Sequence, residues 1–109
     1  MLGEEHPDTL SSLHNVGADY SNLGRYEESL EVKQKVYEMR KRVLGEEHPD
    51  TLSSLHSVGV DYSNLGRYEE SLEVLQKVYE MRKRVLGEEH PETQKVLKIV
   101  TLVQKILVS

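Results

Sequence analysis

A net charge of −5 over 109 residues offers no cationic face to a nucleic-acid backbone, and the absence of cysteine removes disulfides, thiolate catalysis and cysteine-ligated zinc. Charged residues make up 30% of the chain, its apolar runs are too short to span a bilayer, and its start lacks the basic-then-apolar pattern of a leader peptide. These features predict a small cytoplasmic domain with neither nucleic acid nor membrane as its partner.

The chain opens on LGEEHPD at Leu2–Asp8, repeats it at Leu44–Asp50 and returns to it as LGEEHPE at Leu86–Glu92, a fixed period of 42 residues. Such periods mark arrays of one supersecondary unit. The domain, 1–109, divides into repeat one at 2–43, repeat two at 44–85 and a divergent half-repeat with a terminal helix at 86–109. The two full units differ only at Asn15 against Ser57, Ala18 against Val60 and Lys33 against Leu75. That near-identity points to a very recent duplication or to a sequence written by a designer.

The first predicted helix, near 7–23, carries Leu10, Leu13, Val16 or Gly17, Tyr20 and Leu23 at three-and-four spacing, one apolar stripe. Pro7 suits its first turn, His6 falls near the N-cap, and Gly24 supplies a left-handed stop. The second, near 26–44, starts with Glu27, Glu28 and Glu31 and ends with Arg40, Lys41 and Arg42, the polarity a helix dipole favours. Tyr26, Leu30, Val36, Tyr37, Val43 and Leu44 form its expected buried side. Lys33 should lie with its stem on apolar surface and its ammonium in water, whereas Leu75 should be buried outright. The pair repeats near 49–65 and 68–86, and the linker reads as punctuation: glycine stops one helix and proline starts the next.

The string Leu13–Val16–Gly17–Tyr20–Gly24–Tyr26–Ser29 resembles the tetratricopeptide repeat, and the 42-residue period with its LGEEHPDT linker is similar to the kinesin light chain type. The resemblance implies an all-α fold of antiparallel helix hairpins, two repeats plus a terminal helix, forming a short right-handed α-solenoid. It also implies that Gly17 and Gly59 allow close approach of the paired helix. Ser29 and Ser71, and Val36 and Val78, stand where the family usually has alanine.

The same resemblance places a concave, peptide-binding wall on the first helix of each unit: Ser11, His14, Asn15, Ala18 and Asn22, then Ser53, His56, Ser57, Val60 and Asn64. Asn15 matches a family asparagine that holds the backbone of an extended peptide, and Ser57 departs from it. Lys98, with Lys95 and Lys105, adds positive charge at the far end and favours an acidic peptide. No carboxylate is placed to orient His14 or His56 as a base towards the nearby serines. No catalytic, metal or cofactor-binding residue is therefore assigned, and the expected role is a non-enzymatic protein-interaction scaffold.

The last predicted helix, near 91–107, keeps its Pro91 start and then turns apolar where earlier units are polar. Val96, Ile99, Val100, Val103, Ile106 and Leu107 spread over more than one stripe, although a terminal helix should show a polar outer face. An alternative function follows: a structural module that forms homo-oligomers, a dimer foremost, through these residues or by exchange of near-identical hairpins.

Overall fold

The computed structural model describes residues 7–109, with side chains for residue 10 and residues 12–109. Its five helices are α1 (Pro7–Asn22), α2 (Tyr26–Leu44), α3 (Pro49–Asn64), α4 (Tyr68–Leu86) and α5 (Pro91–Val108). The expected His6 cap lies outside the described residues. Each helix packs chiefly on its chain neighbours, giving an all-α helical repeat solenoid about 50 × 32 × 19 Å.

The punctuation works through named bonds. His48 Nδ1 accepts the backbone N–H of Asp50 at 3.0 Å, and His90 Nδ1 accepts that of Glu92 at 3.1 Å. Each caps a helix whose first residue is proline, which has no N–H to satisfy. Within a hairpin the chain reverses at Gly24 and Gly66, both at φ 76°. The Arg25 N–H reaches back to the Tyr20 carbonyl at 2.9 Å and the Gly24 N–H to that of Ser21 at 2.9 Å, a Schellman closure that uses glycine's left-handed freedom. The Arg25 guanidinium then lies 5.1 Å from the Tyr20 ring centroid, and Arg67 lies 4.8 Å from that of Tyr62.

Gly59 sits where α3 meets α4: a Cβ there would come within 2.6 Å of the Leu75 side chain. At Gly17 the nearest atom would be Lys33 Cγ at 3.0 Å, a tight but more yielding neighbour. One apolar cluster joins Leu55 of α3, Leu75 and Val78 of α4, and Val96 and Val100 of α5, while Leu10, Leu30, Val36 and Met39 are buried in the first unit.

Three sequence expectations change. Val16, Leu23 and Val43 are exposed rather than buried, because no described helix covers the outer side of α1 and because Val43 falls at the end of α2. Lys33 does not reach water: it is 6% exposed, with its ammonium 3.3 Å from the wholly buried Asp61 carboxylate. Arg40, expected only to complement the helix dipole, is buried too, donating to Ser54 Oγ at 2.8 Å and to the Asp50 carbonyl at 3.3 Å.

Candidate protein-interaction surface

Along the predicted wall, Asn15, Asn22, Ser53, Asn64 and Lys98 are exposed, and Ala18, Ser57 and Val60 are half-buried. The Ser11 side chain lies outside the described residues. The exposed members come from α1, α3 and α5, the first helices of successive units, so the wall is built by repetition rather than by convergence on one point.

The two histidines are less free than the sequence suggests. His56 is half-buried with Nδ1 3.2 Å from the Arg82 guanidinium. Burial first, then the charges of Arg82 and Lys95, push its pKa down to about 4, so it is neutral at pH 7. His14 is lowered as well, by burial and then by Arg40 and Lys33, and its Nδ1 is buried with no hydrogen-bond partner among the described residues.

On α5 the outward side holds a groove of about 420 Å³ lined by Leu97, Lys98, Thr101 and Leu102. Beside it, a trough of about 490 Å³ runs between α4 and α5 over Gln76, Tyr79, Leu97, Val100 and Gln104. Thr101 stands at the register of Gly17 and Gly59, and Lys98 at that of His14 and His56. Among the described residues no carboxylate pairs with Lys98.

The residues proposed for self-association divide into two sets. Val96, Val100 and Val103 are buried on the side of α5 packed against α4, and Ile99 is half-buried against the same cluster. Four apolar positions are thus consumed within the chain. Ile106 and Leu107 remain exposed, joined by Leu102 at 59% and Val108 at 85%.

Sequence reasoning missed a cluster between units. Asp61 of α3 accepts Ser29 Oγ of α2 at 2.5 Å and Ser21 Oγ of α1 at 3.0 Å, besides the Lys33 ammonium. Lys33 Nζ also lies 3.3 Å from Ser21 Oγ. An amine beside a hydroxyl suggests a serine–lysine pair, but both charges are buried and committed to each other, which leaves a substrate no access. The signal was present one unit downstream: Lys33 becomes Leu75, and Asp61 becomes Val103. The cluster gives Ser29 a partner in Asp61, whereas Ser71, with no such partner, donates to the Gly59 carbonyl at 2.7 Å.

No group of three or more metal-ligating side chains occurs among the described residues, and no described helix is long and apolar enough to cross a membrane. Stacked helix hairpins presenting a ladder of first helices define the class of helical-repeat interaction scaffolds. The tetratricopeptide repeat family model matches residues 8–84, and the chain belongs to that family, with repeats of the kinesin light chain-like type.

Two solved structures of nearly identical TPR-like repeats, from a Podosopora anserina protein described as a kinesin light chain, are similar to it. One superimposes with a TM-score of 0.88 at 28% identity, covering 94% of this chain and 49% of that one. The other, a substituted form of that protein, gives a TM-score of 0.72 at 28% identity, covering 99% of this chain and 61% of that one. The chain thus spans roughly half to three-fifths of the solved chains' lengths. No curated protein matches it.

Proposed function

We propose that the chain is a non-enzymatic scaffold that captures an extended peptide along the first-helix wall, with an acidic, partly apolar end of the peptide held at α5. The observation that carries this reading is Lys98, a cation with no carboxylate partner among the described residues, on the rim of the Leu97–Thr101–Leu102 groove. Exposed Asn15, Asn22, Ser53 and Asn64 continue the wall with groups able to bond a peptide backbone. Fluorescence anisotropy with labelled Glu/Leu and Lys/Leu peptides tests it. The acidic peptide should bind more tightly, Lys98→Glu should reverse the order, and Asn15→Ala should weaken both. Equal binding of the two peptides, unchanged by Lys98→Glu, would contradict it.

A second reading, association of two copies through α5, is favoured by exposed Leu102, Ile106, Leu107 and Val108. Light scattering over a wide concentration range should then show a dimer that Leu102→Glu with Ile106→Glu dissolves. A constant mass of 12.5 kDa would remove this reading.

A further inference from the structure

The two interfaces between units show which second helix fits which first helix. In one, the α3 face formed by Ser54, Val58 and Asp61 is buried against α2, where Arg40 meets Ser54 and where Ser29 and Lys33 meet Asp61. In the other, the α5 face formed by Val96, Val100 and Val103 is buried against α4, which brings Leu75 and Val78. The helices α2 and α4 are identical over nineteen residues except for Lys33 against Leu75. At these two registers lysine stands with aspartate in the first interface, and buried leucine stands with buried valine, Leu75 and Val103, in the second.

The outer face of α1 carries the same letters as α3 at the same register, Ser12, Val16 and Asp19. Here they are open: Ser12 and Asp19 are exposed and Val16 is 43% exposed. Leu23 is 72% exposed, whereas its counterpart Leu65 is half-buried. A helix laid on this face in the way α2 lies on α3 would set its lysine against Asp19 and its arginine against Ser12. A leucine at the lysine position would instead bury the Asp19 carboxylate without a cation, the costly arrangement for a charge leaving water.

We propose that the open face of α1 is a docking surface for an amphipathic helix bearing lysine and arginine at the Lys33–Arg40 spacing, and that Asp19 selects it against the leucine type. Charge complementarity and the α2·α3 interface, which displays the same face occupied, identify this one occupant.

Two synthetic peptides test it, Tyr26–Leu44 and Tyr68–Leu86, which differ only in the lysine or leucine at that position. Each is titrated into the isotope-labelled full chain and followed by backbone amide shifts. The lysine peptide should move the signals of Ser12, Val16 and Asp19 and bind about tenfold or more tightly than the leucine peptide. Asp19→Val should reverse that order, and Asp19→Asn should abolish the preference while preserving shape. Equal affinity for both peptides, no shift on α1, or shifts confined to α4 and α5 would overturn the proposal. So would a chain that dimerises alone and loses its dimer with Asp19→Val, because a second whole copy would then be the occupant.

Discussion

The α2·α3 and α4·α5 interfaces are built on second helices that differ at one position, yet one buries a charged network and the other an aliphatic seam. Asp61 holds a lysine and two serines in the first; in the second the same two registers carry Leu75 and Val103, both buried. The arginines diverge in step. Arg40 bonds Ser54, whereas Arg82 has Val96 at that register and turns to His56 Nδ1; both keep a bond to the carbonyl after the linker proline, Asp50 and Glu92. Burying an ion pair is near break-even energetically, because desolvation offsets most of the Coulomb attraction. The polar interface thus contributes selectivity more than strength: it punishes a mismatched neighbour, while the apolar one binds by area and tolerates more.

The largest effect should come from mismatching one interface. Asp61→Val leaves the Lys33 ammonium buried without its carboxylate and should cost about 3–5 kcal/mol, seen as a lower urea midpoint of the helical signal. Val103→Asp, which puts a carboxylate at a buried position with leucine rather than lysine at the Lys33 register, should be of similar size. A cost under about 1 kcal/mol for either would mean that the charges escape to water and that the interfaces do not differ as described.

Next come the glycines. Gly59→Ala drives a methyl into the Leu75 branch and should cost about 1–3 kcal/mol, whereas Gly17→Ala meets the flexible Lys33 stem and should cost less. Equal costs would show that the two hairpins are packed alike. The smallest contrast at neutral pH lies in His56. Its folded pKa of about 4 lies below the ordinary 6.5, so the unfolded chain binds the proton first. Stability should therefore fall as pH drops from about 6.5 towards 4, with no further loss from this group below that. His56→Gln should flatten the stability–pH curve over that window; an unchanged slope would mean that His56 titrates in the fold as it does in the open chain.

Helix positions were legible because their signals are local: proline at the first turn, histidine before it, glycine at the stop. Close approach at Gly59 followed from the family resemblance and is met by Leu75. The burial of Lys33 was not legible, because a lone lysine on an apolar side ordinarily reaches water and its partner lies on the next unit's helix, 28 residues on. The breadth of the apolar surface on α5 was legible, but its division was not. Sequence shows that Val96, Val103, Leu102 and Ile106 are apolar; only the seating of α5 on α4 decides which are covered. The asparagines assigned to the wall are exposed, while the histidines are drawn inward, by Arg82 in one unit and by burial near Arg40 in the other.

The central claim is that Lys33–Asp61 and Leu75–Val103 are interchangeable as pairs and incompatible as halves. A double-mutant cycle on Lys33→Leu and Asp61→Val, followed by urea unfolding, tests it directly. Each single change should destabilise the chain by several kcal/mol, on the order of 3–5, and the double variant should return to within about 1 kcal/mol of the starting chain or exceed it. A double variant as unstable as the sum of its halves would contradict the pairing and, with it, the reading of how the units choose their neighbours.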